Sequence, residues 1–195
     1  TEMLGVVVTG EIWLQVPQTI RFRFDGRLAD GVVAKDLMLG LLARHGMNGG
    51  AYQAVEYAGR AVAAMAMEER MTLCNMAAEL GAQAGLVAPD YTTLEWLAAH
   101  GVHDAEAAPW QSDEGAPVAA EHAVDASAAP PMVARPHSPA NAHPVDAVAG
   151  ERIDTAYLGA CTGAKLEDLR AAARVLRGRR IAAGTTLFVA PASAA

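Results

Sequence analysis

Between Ile153 and Ala190 the chain reads as strand, helix, strand, and this run constrains the fold more than any other feature. Ile153–Ala160 is apolar. Leu166–Leu176 carries Leu169, Ala172, Ala173 and Leu176 at helical spacing, which predicts a buried side. Thr185–Ala190 is apolar again. Two strands joined through a helix pair in parallel with a right-handed crossover. The predicted class is therefore α/β, and ligands are expected at the carboxyl ends of the strands.

The chain upstream is compatible with that class. Val6–Val16 reads as a strand or a short strand pair punctuated by Gly10. Thr19–Asp25 alternates Ile20, Phe22 and Phe24 with Thr19, Arg21 and Arg23, the period of a half-buried strand, and Asp25-Gly26 closes it as a turn. Val33–His45 places Leu37, Leu41 and Leu42 at helical spacing, with Gly46 as the stop. Ala51–Tyr57 suggests a short strand. Helices are expected over Arg60–Met67, Met71–Gln83 and Thr92–Ala99, the last capped by Thr92 or Thr93. Residues 103–130 hold few large apolar side chains and predict a linker or mobile loop, because little burial is available to offset ordering. Met132–Ala149 is proline-rich and predicts extended, irregular chain. The expected division is a first folded region at 1–102, the linker at 103–130 and a second region at 131–195.

Charge narrows the function classes. The 195 residues carry a net charge of −7, with 52% hydrophobic and 19% charged residues. The densest basic run, Arg177-Gly178-Arg179-Arg180, is too small to track a phosphate backbone, so no nucleic-acid partner is expected. No stretch approaches the roughly 18–20 apolar residues of a membrane span. Two cysteines, Cys74 and Cys161, argue against a disulfide scaffold and suggest a reducing, cytoplasmic setting. Thr1-Glu2-Met3 runs directly into Val6-Val7-Val8, and the far end stops just past an expected strand. Both ends read as cuts through a larger protein.

Cys161 follows the strand Ile153–Ala160 and precedes the helix that opens near Lys165. A helix N-terminus favours a thiolate, and Gly159 and Gly163 leave room for close backbone approach. Residue chemistry leaves two readings open: a packing thiol, or a ligand or nucleophile. There is no CxxC, and no His/Asp/Glu group has metal-ligand spacing. His137 and His143 lie in the Pro-rich stretch and read as solvent-facing.

The run Gly159-Ala-Cys-Thr-Gly-Ala-Lys-Leu-Glu-Asp-Leu-Arg170 resembles the cluster-cysteine motif of aconitase-superfamily hydro-lyases. Val7-Val-Thr-Gly-Glu-Ile-Trp-Leu-Gln-Val-Pro17, Gly31-Val-Val-Ala-Lys-Asp-Leu37, Val55-Glu-Tyr-Ala-Gly59 and Met67-Glu-Glu-Arg-Met-Thr-Leu-Cys-Asn-Met-Ala-Ala-Glu-Leu-Gly-Ala82 are similar, in order and spacing, to the second domain of large subunits of the 3-isopropylmalate dehydratase group, and Ala88-Pro-Asp-Tyr-Thr-Thr93 continues the likeness. The resemblance spans nearly everything except 103–130. Ala160 and Gly163 depart from the group's usual Ser and Asn.

The resemblance implies aconitase-type three-layer α/β/α domains, here incomplete: part of a second domain, then the start of a third. It implies a hydro-lyase that dehydrates and rehydrates a small hydroxy-dicarboxylic acid, isomerising 2-isopropylmalate to 3-isopropylmalate in leucine biosynthesis. A homoaconitase-like or methylmalate-type relative, or a non-catalytic fragment, is the alternative. The implied cofactor is a [4Fe-4S] cluster held by three thiolates, of which Cys161 would be the first. Asn75 would lie near the cluster, and Glu79 would bond the iron-bound water or hydroxyl. Asn75 and Glu79, four apart, are expected on one helix face. Cys74 and Arg70 are expected to be structural. The implied partner is a small subunit, and the isolated chain is expected to be inactive.

Overall fold

The computed structural model describes residues 2–160 and 163–192. The central sheet is four-stranded and parallel, in the order β3-β2-β1-β4, with β1 Thr19–Asp25, β2 Ala54–Ala58, β3 Ala84–Val87 and β4 Ala120–Asp125. The class is α/β, as the sequence indicates. Ile20 and Phe22 of β1 lie in register with Val55 and Tyr57 of β2, and Phe24 with Val124 of β4, on one face. They pack against α2 (Ala34–His45), α3 (Arg60–Ala63), α4 (Met67–Asn75) and the turns just beyond α4. Leu37, Leu42, Val62, Leu73 and Leu80 supply the helical side of this core.

The alternate positions of the same strands carry charge. Arg21 bonds Glu56 of β2 at 3.2 Å and Glu121 of β4 at 3.5 Å across the opposite face. The chain crosses that face on its way from β3 to β4, where Ser112 Oγ donates to Glu56 Oε2. Among the described residues, then, this face meets ion pairs and a loop.

Several expectations need correction. The valine-rich run near the start is not a strand. Glu2–Thr9 is helix α1, followed by irregular chain to Gln18. Val7, Val8, Trp13 and Leu14 stay exposed. With no neighbouring strand to complete a ladder, the segment closes its hydrogen bonds internally. The helix expected over Met71–Gln83 begins at Met67 and stops at Asn75, and Ala84–Val87 is a strand. Within the expected linker, Ala120–Asp125 is an edge strand paired with β1. Its small residues (Ala120, Ala123) hid the alternation. Residues 131–150 pack on the first core and not with the C-terminal strands. Met132–Ala134 (β5) and Ala142–Pro144 (β6) form an antiparallel hairpin, and Ala142 joins the core cluster.

One side chain fixes that hairpin. Asp36 is 8% exposed. Its Oδ2 accepts from Val33 N at 2.8 Å, capping α2, and its Oδ1 accepts from Met132 N at 2.7 Å. Arg70 ties in the other flank. Its guanidinium donates to both carboxylate oxygens of Asp90, at 2.7 and 2.8 Å, and to the carbonyls of Met65 and Ala63. Asp90 also caps α5 (Tyr91–Ala99) by accepting from Thr93 N, so the cap lies ahead of the expected threonines.

The C-terminal module is strand β7 (Thr155–Leu158), helix α6 (Leu166–Leu176) and strand β8 (Thr186–Val189), with β7 and β8 parallel. The strand–helix–strand reading holds, but the buried helix side does not: no α6 residue is buried. No helix among the described residues is long and apolar enough to cross a membrane.

Candidate functional site

The carboxyl end of β7 and the wall of α4 enclose a cavity of about 500 Å³, lined by Glu68, Thr72, Tyr157, Gly159, Gly163 and Asp168 among others. Cys161 itself lies outside the described residues. Its described neighbours are unusual. Ala160 has φ 86° and Ala164 has φ 60°, both left-handed for residues that carry a Cβ. Such conformations cost on the order of 1–3 kcal/mol and concentrate where function over-determines the backbone. Gly163 N closes this turn on Ala160 O at 3.2 Å.

Asn75 is the last residue of α4 and is exposed. Glu79 sits in the turns beyond it, so the two do not share a helix face. Glu79 is half-buried, and its Oε2 is buried with no hydrogen-bond partner among the described residues. It lines a second cavity of about 480 Å³ with Lys35, Asp36, Leu39, Met76 and Met132. Val33 and Lys35 border both cavities, which places the Glu79 carboxylate and the loop that carries Cys161 on either side of the α2 N-terminus. Asn75 lines neither cavity.

Other side chains sort by environment. Burial pushes the Cys74 thiol up, against a smaller opposing effect of a backbone hydrogen bond with Val87, so Cys74 is a protonated packing residue. Tyr57, 1% exposed, keeps a buried hydroxyl without a partner among the described residues; burial raises its pKa, with Cys74 and Glu79 adding to the shift. His143 bonds Asn141. No group of three or more His, Cys, Asp or Glu among the described residues is arranged to hold a metal. Lys35, Asp36 and Tyr57 carried no signal in the sequence beyond their residue type, because what marks them is burial and contact across the chain.

The model of the aconitase family (aconitate hydratase) matches residues 1–153. The chain belongs to the aconitase family. Among the family's members, it is 44% identical to the 3-isopropylmalate dehydratase large subunit of Nitratidesulfovibrio vulgaris and 42% identical to 3-isopropylmalate dehydratase large subunit 1 of Methanopyrus kandleri. In both cases the match covers 99% of this chain and 46% of the relative. It is 40% identical to a protein named as a probable methanogen homoaconitase large subunit from Methanosarcina mazei, over 99% of this chain and 49% of that one. The chain thus spans about half the length of these relatives. The resemblance implies a [4Fe-4S] cluster on three thiolates, and this stretch contains two cysteines, Cys74 and Cys161. The residues present do not fit a whole cluster on their own.

Proposed function

We propose that this chain is the part of an iron–sulfur hydro-lyase large subunit that carries the first cluster thiolate, in an enzyme that converts 2-isopropylmalate to 3-isopropylmalate in leucine biosynthesis. The observation that carries this reading is the pair of relatives bearing that name, matched over 99% of the chain at 42–44% identity. In this reading Cys161 is one of three cluster ligands, the other two come from sequence beyond this stretch, and a small subunit completes the site. Glu79 handles the proton of the leaving or returning water. An acceptor oxygen that is buried and has no partner among the described residues suits such a role. Asn75, exposed at the end of α4, lies near the cluster in the assembled enzyme. The chain works in the cytoplasm, and alone it is inactive. The second reading is a homoaconitase-like enzyme, favoured by the 40% identity to the Methanosarcina mazei protein.

The test places this stretch in its full-length large subunit, pairs it with the small subunit, and assays 2-isopropylmalate against homocitrate. Turnover of 2-isopropylmalate is expected. Preference for homocitrate establishes the second reading, and no turnover of either acid overturns both. The isolated 195 residues, reconstituted anaerobically with iron and sulfide, are expected to form no stable cluster absorbance.

A further inference from the structure

We propose that Lys165 is a positioning residue: its ammonium latches the loop that bears Cys161 onto α4, and so sets the spacing between the two halves of the candidate site. The need for a latch comes from the C-terminal module itself. Its two-stranded sheet and its helix bury almost nothing, and two parallel strands with a single helix are too little to hold a position by packing. Past Gly150, the one fully buried residue among those described is Ala164, at 1% exposure. The next residue supplies the polar contact. Lys165 Nζ donates to Glu68 O at 3.2 Å and to Thr72 Oγ1 at 3.1 Å, and both acceptors belong to α4. Thr72 Oγ1 in turn donates to Glu68 O at 3.0 Å, which orients its lone pairs toward the ammonium.

The other end of the lysine is fixed as well. Lys165 N donates to Asp168 Oδ2 at 3.1 Å at the start of α6, and Ala164 O accepts from Ala192 N at 3.0 Å just past β8. The latch therefore joins β7, α6 and the end of β8 to one turn of α4. It sits four residues after Cys161, and Thr72 is three residues before Asn75 on α4. Glu68, Glu69, Glu167 and Asp168 line the adjoining cavity, which also holds Ala164, Lys35 and Arg174. The inference deepens the proposed function, because the loop it fixes is the one assigned the cluster thiolate. The latch itself is a matter of structure and can be tested without a cluster.

Amide hydrogen exchange on the full 195-residue chain reads the latch directly. Lys165→Met is expected to speed exchange together at residues 163–168 and in α4, by about tenfold or more, the scale of one lost charge-assisted hydrogen bond. Exchange in β1 and β2 should be unchanged, which shows that the core stays folded. Lys165→Arg should restore most of the protection, and Thr72→Val should give a smaller increase at the same two places. Unchanged exchange in α4 or at residues 163–168, or the same increase with Lys165→Arg as with Lys165→Met, overturns the proposal. A chain that passes these tests while the assembled enzyme turns over neither acid keeps the latch and loses the proposed function.

Discussion

Asp90→Ala isolates the contact that anchors α5. In the folded chain the Arg70 guanidinium is 2% exposed and meets Asp90 through two hydrogen bonds, while the Asp90 side chain is 39% exposed. Removing one member of a fully buried pair costs about 3–5 kcal/mol, because the other charge is left without its partner. Water can reach the vacated carboxylate position here, which lowers the cost to about 2–3 kcal/mol. Asp90 also accepts from Thr93 N at the head of α5, and losing an N-cap costs about 1 kcal/mol. The sum is roughly 3–4 kcal/mol, equivalent to a fall of about 10 °C in Tm for a chain of this size. Asp90→Asn keeps the cap and should lose only the ion-pair part. Urea unfolding can be followed through Trp96 on α5, after the exposed Trp13 and Trp110 are replaced by Phe. The pH dependence gives a second check. Arg70 holds the Asp90 carboxyl below its ordinary range, so the pair stabilises above the unfolded carboxylate pKa and is lost as pH falls through the lower, folded value. Asp90→Asn should flatten that acid limb. If Asp90→Asn is as stable as the parent at pH 7, the two carbonyl contacts alone hold Arg70 and the ion-pair argument fails.

Three further outcomes rest on other contacts. Asp36→Ala orphans Val33 N and Met132 N together and should cost about 3 kcal/mol, with amide exchange rising first in β5 and β6. His45 sits 5.1 Å from His122 and 5.3 Å from Phe22, ring centre to ring centre, and burial, then His122 and Arg44, lower its pKa. Its folded state resists protonation, so stability should fall as pH drops below about 6.5, the ordinary imidazole value; in NMR titration His122→Gln should move the His45 pKa back upward. In the full-length large subunit, Cys161→Ser should abolish cluster absorbance and Cys74→Ser should leave it; the reverse pattern would refute the ligand assignment.

The parts of the fold that were legible were those whose burial follows a period. β1 alternates because one face meets α2 and the other meets water and ion pairs, and the pattern of Ile20, Phe22 and Phe24 states this directly. α6 was legible as a helix from its spacing, although none of its described residues is buried. β4 was not legible. Its inward positions are Ala120, His122 and Val124, and it is a strand because β1 offers a free edge, which is a tertiary fact. α1 misled because β-branched residues suit a strand only where a neighbouring strand exists. For the candidate site, residue types pointed to Cys161, Asn75 and Glu79 only through resemblance. The orphaned oxygen of Glu79, the buried hydroxyl of Tyr57 and the reach of Lys165 depend on contacts between residues far apart in sequence.

The early end of α4 is what gives Glu79 its surroundings. Had the helix continued to Gln83, Glu79 would stand one turn beyond Asn75 on the same exposed face, where a carboxylate is solvated and ordinary. The chain turns instead. Met76 N bonds Thr72 O and Leu80 N bonds Met76 O, but Ala77 N and Ala78 N reach back only three residues, and Gly81 takes φ 79°. A side chain at Gly81 would place its Cβ 2.4 Å from Met47 O, so the turn is packed against the loop after α2 and glycine is required there. β3 then begins close under α4, with Gly85 so near the helix that a Cβ would lie 2.7 Å from Cys74 O. These two glycines let the chain reverse within a few residues. The reversal buries Met76, Ala77 and Leu80 in the core and leaves Glu79 facing the cavity that Lys35 and Asp36 line. The side chain is thus half-buried in the lining of a cavity, an environment that a solvated helix face does not provide.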